Sequence, residues 1–521
     1  MLLRDYIRRA ANSYGDKTAF IDGDIRRDWR TVDERSARFG AALQKLGVRK
    51  GDVVCILAHE HLEVIEHFLA CAKIGAIRVG INWRYSPREQ EHIIRDSSAK
   101  AVLVQANCHE QIAQFLPDLE KEGRVLIGFG ENHGLRYDYE SLIAQNLNHP
   151  DHVDLAPDDL LAYSYTTGTT GLPKGALWTQ SLVVESNVHS ILNLGLRHED
   201  IWLMPAPTPG APILFNTFGV INGMTTTMIN GDFAADKYWD IVERDRVTAS
   251  GGVPTMIRRL LEEYDSGNYD ASTLGNLFYG SSPMPPTLTK RLFNTLDCDL
   301  IQPYGSTETG GWVTYLRQDE HRRAVQENDF RLLESCGRPS QHADVTILDE
   351  EGKEVPDGEV GEVCVASGTN TVGYLNLPQE TEELYFGKWL RTGDLGNRDK
   401  NGYYFLVDRR KFMIISGGYN VYPVVVENVL AEHTAVREVS VIGAPHPEWG
   451  EVVTAVISLK NGQNVSSEEL IEFVRPKIGK WEVPKYIEFI DDLPRGVTGK
   501  IDKISLRQRF KDSPDLLPWS V

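Results

Sequence analysis

"AYSYTTGTTGLPKGALWT", residues 162–179, places a run of threonine, glycine and one lysine directly behind a short apolar stretch. Glycines let successive backbone N–H groups turn toward an anion, and the hydroxyls of Thr166, Thr167, Thr169 and Thr170 add donors around Gly168. Lys174 contributes a mobile point charge. Phosphate suits such a segment; the plainer reading is a flexible Gly/Thr surface loop. Two familiar phosphate motifs are excluded by spacing. A Walker loop needs GxxxxGK followed by Ser or Thr, but Pro173 stands five residues beyond Gly168 and Gly175 follows Lys174. The dinucleotide pattern GxGxxG is absent from this segment.

Outward from this stretch the pattern alternates. Residues 59–75, "HEHLEVIEHFLACAKIG", put Leu62, Ile65, Phe68, Leu69 and Ala72 on one helical face, with Gly75 as the stop. "AIRVGIN" reads as a buried strand, "PREQEHIIRDSSAK" as a helix and "AVLVQA" as another strand, and the alternation recurs over 235–256 and 285–304. Parallel sheets covered by helices are expected. From about residue 335 short alternating strands and Gly/Asp turns predict an antiparallel β unit. Further on, the sequence predicts a helix over 423–433, strands over 438–443 and 451–459, and a helix over 467–478. The expected fold class is α/β. A large domain, 1–409, would consist of helix-covered sheets plus a β subdomain, and a small mobile α+β domain would span 410–521. A chain of 521 residues is too long for one ordinary core.

Composition narrows the function. Hydrophobic residues make up 41% and charged residues 25%, as in ordinary globular proteins. The formal net charge is −19 and no Lys/Arg run stands out, so nucleic acid is not an expected partner. Cys55, Cys71, Cys108, Cys298, Cys336 and Cys364 form no CxxC pair and read as buried free thiols in a reducing cytoplasm. No window reaches the roughly 18 apolar residues of a spanning helix, and the N-terminus lacks a signal-peptide core.

Four further stretches follow in order: "QPYGSTETG" (302–310), "WLRTGDLG" (389–396), "VDRRKFMIISGGYNVYP" (407–423) and "PRGVTGKIDK" (494–503). With "TTGTTGLPKG" they resemble the adenylate-forming superfamily over nearly the whole chain. "SGGYNVYP" and "GAPHPEWGEVV" look most like its acyl- and aryl-CoA synthetase branch. The resemblance implies an ATP- and Mg²⁺-dependent ligase. Such an enzyme joins a carboxylic acid to AMP, releases pyrophosphate, and passes the acyl group to the thiol of coenzyme A. Bringing a carboxylate against an α-phosphate sets two anions together, so positive charge and positioning are what the site must supply.

The resemblance assigns roles by position. Lys500 would be the main adenylation cation, with Lys174, Thr307 and Glu308 as further catalytic groups and Glu308 as the Mg²⁺ ligand. The nucleotide site would add Thr166, Thr167, Gly168, Thr169 and Thr170. It would also take Gly280, Ser281 and Ser282, then Gln302, Tyr304, Gly305 and Ser306, and finally Asp394 and Arg409. Tyr304 would stack on adenine, and Asp394 would accept from the ribose hydroxyls. Lys411 would be the hinge between the domains, and Gly417, Gly418 and Tyr419 would line the thiol path. The acyl pocket would be built from Thr208, Gly210, Gly252, Ser281 and Gly305.

The chain departs from the family at several points. Phe412 stands where an Asp is usual, Tyr419 where a Glu is usual, and Val425 replaces an acid. "WEVPK" (481–485) replaces a Tyr-Lys pair, and Pro207 and Thr208 replace an aromatic-His pair. Gly210, Ala211, Gly251, Gly252, Ser281 and Ser282 are all small, and no Arg or Lys occurs in 204–217, 248–256 or 278–286. A bulky, largely apolar monocarboxylic acid is expected. Three alternatives stay open: a stand-alone enzyme loading a carrier protein, a member keeping only one half-reaction, and a luciferase-like oxygenase. The expected partners are the acid, ATP and CoA, and a homodimer is compatible with the sequence.

Overall fold

The computed structural model describes residues 2–166, 172–206, 210–282, 284–416, 419–496, 500–513 and 516–519. It divides into two compact units. One runs to Val345 and resumes over Val365–Leu390; the other comprises Thr346–Cys364 and the chain from Arg391 onward. The division passes through the strands Ala343–Leu348, Gly361–Ser367 and Trp389–Arg398. The hairpin carrying Asp394 and Arg409 is therefore part of the C-terminal unit.

The first unit holds two large sheets. One runs Tyr137–Asp138, Val125–Phe129, Ala101–Gln105, Val53–Ala58, Ile77–Asn82, Leu160–Thr166, Lys174–Thr179, with every pairing parallel except the last. The other has nine strands. Its centre, from Asp299–Ser306 through Asn276–Tyr279, Ala249–Gly252, Ile201–Leu203 and Thr225–Met228 to Thr18–Asp22, is parallel; its edges are antiparallel.

The helix Leu62–Ile74 shows how far local pattern reaches. Its expected face is buried, and Gly75 ends it at φ +71° with its N–H donated to Cys71 O. Yet Glu66 and His67, outside that face, are also buried. Burying these groups demands partners. Glu66 is matched by Arg27, by Arg35 Nε at 2.8 Å and by the Tyr139 hydroxyl at 2.8 Å. His67 bonds Val54 O at 3.1 Å, and burial pushes it down to about 3. The next helix, Pro87–Asp96, begins with a capping box: Ser86 Oγ accepts Glu89 N while Glu89 accepts Ser86 N.

In the C-terminal unit the hairpin Val436–His446/Gly450–Leu459 is extended by Ile414–Ser416, Tyr419–Val421 and the parallel strand Tyr486–Phe489. The helices Pro423–Ala431 and Ser467–Val474 bury their apolar residues on this sheet, with Val426, Leu430, Leu470 and Val474 in one core. Leu506 and Phe510, from the helix Lys503–Asp512, enter a second core with Ile442 and Val456. The expected elements are present, and the first strand is longer than alternation alone suggested. No described helix is long and apolar enough to cross a membrane.

Candidate active site

Thr166 and Lys174 face each other across the antiparallel strands that bracket the Thr/Gly run. Thr167, Gly168, Thr169 and Thr170 lie outside the described residues. Lys174 Nζ is 3.5 Å from Glu380 Oε1 and 5.9 Å from the centre of the Tyr374 ring. The segment bearing Tyr374 runs along this strand: Leu177 N donates to Gly373 O at 2.9 Å and Leu375 N to Gly175 O at 2.8 Å.

Tyr374 also reaches the proposed metal ligand. Its hydroxyl donates to Glu308 Oε1 at 2.9 Å, and Glu308 O accepts Thr371 N at 2.7 Å. Glu308 lies within a tight turn in which Ser306 N donates to Thr309 Oγ1 at 2.8 Å. Trp178 Nε1 holds Thr307 O at 3.0 Å. Glu308, Tyr374, Lys174 and Glu380 thus form one polar chain. Sequence reading found Glu308 and Lys174 but missed Tyr374 and Glu380. Their stretch, "GYLNLPQE", carries no charge spacing or glycine pattern that would single it out.

The adenine-side candidates lie on the strand Asp299–Ser306. Gln302 and Tyr304, two apart, share a face and are buried. Gln302 Oε1 has no hydrogen-bond partner among the described residues, an orphaned acceptor fit for an amino donor such as that of adenine. Gly305 is required for packing: a Cβ there would lie 1.9 Å from Gly311 O. Gly280 N bonds Gly252 O at 3.3 Å, and Ser281 stands at φ +66°, a left-handed conformation that a serine adopts only under constraint. Ser282 follows it at the surface's edge, half-buried.

The acyl-side reading needs a correction. Gly251 leaves no room for substrate, because a Cβ there would meet the Phe278 ring at 1.8 Å. Gly252 differs: an added Cβ would find ordinary contacts at 3.6 Å. Phe278 belongs to an aromatic group with Trp202, Phe215, Phe218 and Trp312, in which Phe215 and Trp312 stack at 4.3 Å. Pro207 and Thr208 lie outside the described residues. Gly210 is half-buried, and its carbonyl oxygen is 3.5 Å from Nη1 of the buried Arg78. The count of cations by segment missed Arg78 because it comes from the strand Ile77–Asn82, far away in the chain.

In the C-terminal unit Asp394 and Arg409 are register partners, joined by an ion pair of 2.6 Å from Arg409 Nε to Asp394 Oδ1. Asp394 is buried, and Arg409 Nη1 also donates to Thr392 O at 3.1 Å. Lys500 reaches solvent but feels both neighbours. Desolvation, then the Arg409 charge, lowers its pKa from the ordinary lysine value, and Asp394 opposes them. If protonated Lys500 drives adenylation, that rate should fall as pH rises through a pKa below the usual ~10.4 of lysine. Lys500→Arg should move the limb beyond reach of the titration, since guanidinium stays charged. Pyrophosphate exchange measured against pH checks this; the same limb in both proteins would disprove it.

The departures also find partners. Tyr419 and Trp481, 58% and 48% exposed, stack on each other at 5.5 Å. Phe412 lies under two ammonium groups, Lys411 Nζ at 4.8 Å and Lys503 Nζ at 5.5 Å from its ring centre. Lys411 O accepts Arg507 Nη1 at 2.9 Å. Gly417 and Gly418 lie outside the described residues.

A two-sheet α/β unit bearing an acid–tyrosine–lysine chain, together with a unit holding Asp394, Arg409 and Lys500, defines an adenylate-forming ligase. The chain belongs to the AMP-binding enzyme family: the model of that family matches residues 7–375, and the model of the AMP-binding enzyme C-terminal domain matches 425–500. It is 34% identical over 491 residues to the fatty acid–[acyl-carrier-protein] ligase ScoC of Streptomyces coeruleorubidus, covering 92% of this chain and 91% of that protein. It is 34% identical over 509 residues to a feruloyl-CoA synthase of Amycolatopsis sp, covering 97% and 98%. The amide bond synthetase McbA of Marinactinospora thermotolerans superposes with a TM-score of 0.87 at 28% identity, covering 98% of this chain and 100% of that one.

Proposed function

We propose that this protein is an ATP-dependent carboxylic acid–CoA ligase acting on a bulky, largely apolar monocarboxylic acid. The observation that carries the reading is the grouping of Lys500 with the Asp394–Arg409 pair inside one compact unit. In the first step a substrate carboxylate oxygen attacks the α-phosphorus of ATP. The bond to the β-phosphate oxygen breaks, and pyrophosphate leaves. Lys500 offsets the charge of the two anions as they meet, and Asp394 with Arg409 orients the ribose. Lys174, within reach of Glu380 in the free protein, exchanges that carboxylate for phosphate oxygens. A single carboxylate, Glu308, backed by the Thr307 hydroxyl, is a donor set of the kind Mg²⁺ takes beside phosphate and water. Bound there, Mg²⁺ would neutralise phosphate charge. Tyr374 holds Glu308 in place from the other oxygen. In the second step a thiolate attacks the acyl carbon, the C–O bond to AMP breaks, and AMP leaves.

Coenzyme A as acceptor is supported by the exposed Tyr419–Trp481 stack, a flat surface of the sort that purines join. The similarity to the feruloyl-CoA synthase points the same way. A second reading, loading of a carrier protein's phosphopantetheine, is favoured by the equal identity to ScoC. The buried thiols among the six free cysteines fit a cytoplasmic enzyme.

The test is pyrophosphate release across a panel of acids, with and without CoA or a pantetheinylated carrier protein. Acyl-CoA formation supports the first reading, and carrier-only transfer replaces it with the second. No release with any acid overturns both. Within the panel, benzoate, octanoate or a ring-bearing acid should exceed acetate and malonate in kcat/KM. Met256 and Ile257 beside Gly252 offer apolar contact, and a second carboxylate would have to be desolvated. A win for acetate or malonate would end the pocket argument and leave the ligase reading standing.

A further inference from the structure

We propose that the helix Pro87–Asp96 braces the phosphate-binding hairpin, with His92 and Asp96 as positioning residues for the groups that receive ATP. The inference rests on the ligase reading for its ligand. It concerns residues outside every motif that the family resemblance uses.

His92 and Asp96 are four residues apart and lie on one helical face. Each holds a different arm of the hairpin. His92 Nε2 is 3.1 Å from Pro173 O, immediately before Lys174. A carbonyl only accepts, so the histidine must donate from Nε2. Asp96 Oδ2 accepts the hydroxyl of Tyr165 at 2.7 Å, on the incoming arm. Tyr165 is buried and lies flat against Gly175, its register partner; a Cβ on Gly175 would come within 3.1 Å of the ring. Burial and the Asp96 carboxylate both push the Tyr165 pKa up, so it stays a donor.

The third tether reaches the segment that carries Tyr374. Asn376 Nδ2 donates to Asp96 O at 3.0 Å and to Asp96 Oδ1 at 3.1 Å, from a left-handed backbone at φ +56°. Its neighbour Leu375 is bonded to Gly175 O. One helix therefore ties down both sides of the hairpin and the strand-like run that aims Tyr374 at Glu308. Phosphate binding by Lys174 gains from arms held in place beforehand, because fixing them at the moment of binding would cost affinity.

The experiment compares His92→Leu, His92→Gln and Tyr165→Phe with the unaltered protein. Glu91→Ala, on the same helix and paired with the surface residue Arg95, is the control. Two quantities are read: affinity for a non-hydrolysable ATP analogue by calorimetry, and the KM values for ATP and acid. Loss of one hydrogen bond should weaken analogue binding and raise KM for ATP by about five- to tenfold in His92→Leu and Tyr165→Phe. KM for the acid, and transfer from supplied acyl-adenylate, should stay unchanged. His92→Gln, which keeps a donor, should recover most of the loss. A fall in thermal stability with analogue affinity intact, or equal changes in every kinetic constant, would overturn the brace. Tyr165→Phe removes a single oxygen, so it keeps the test decisive if His92→Leu does not fold. Analogue binding reads the brace even if no acid is activated; absence of turnover in the unaltered protein would instead count against the ligase reading.

Discussion

Lys500→Ala should lower acyl-adenylate formation by a factor on the order of 10²–10³, the usual cost of deleting one preorganised charge from a reacting centre. Thioester formation from supplied acyl-adenylate should survive. The asymmetry follows from where charge builds up. In the first half-reaction a carboxylate meets a phosphate, and an ammonium within electrostatic range of Asp394 and Arg409 opposes that repulsion. In the second, a neutral carbonyl is attacked and AMP departs, with no need for a cation at the same point. Single-turnover measurement of each half separates the two. Equal loss in both halves would remove Lys500 from its assigned role and make it a structural or general binding group.

Lys411→Pro should do the reverse, retaining adenylation and abolishing transfer. The proline ring holds φ near −65° and restricts the residue before it as well, here Arg410. If Lys411 is the swivel, the variant cannot exchange one orientation for the other, and the acyl-adenylate should accumulate at about one equivalent per site. Lys411 lies in the 3₁₀ turn Arg410–Phe412, its carbonyl still free to accept from Arg507, and its side chain makes a surface contact with Phe412. Normal thioester yield from the variant would show that transfer does not use rotation at this residue.

What the sequence by itself determined was everything that depends on near neighbours. The Gly75 stop, the Ser86 capping box and the turn joining Val436–His446 to Gly450–Leu459 all follow from residues within a few positions of one another. Period, capping and turn chemistry act over about one helical turn or one strand pair, so they are written in order along the chain. The family motifs belong to the same class. "TTGTTGLPKG", "STE", "TGD" and "TGK" are short runs in which residue type and spacing carry the signal together.

Tertiary structure alone decided which of these runs meet, and what fills the space between them. It placed Tyr374 between Glu308 and Lys174, and Asn376 on Asp96, contacts that span large gaps in the chain. It gave the room suggested by Gly251 to Phe278, and brought Arg78 to Gly210 in a region that looked free of cations. It also turned two isolated departures, Tyr419 and Trp481, into one stacked pair. The physical reason is common to all of these. A long-range contact is selected by burial and volume summed over the packed whole, and a glycine or a tyrosine carries no local mark of which distant atom will occupy the space beside it.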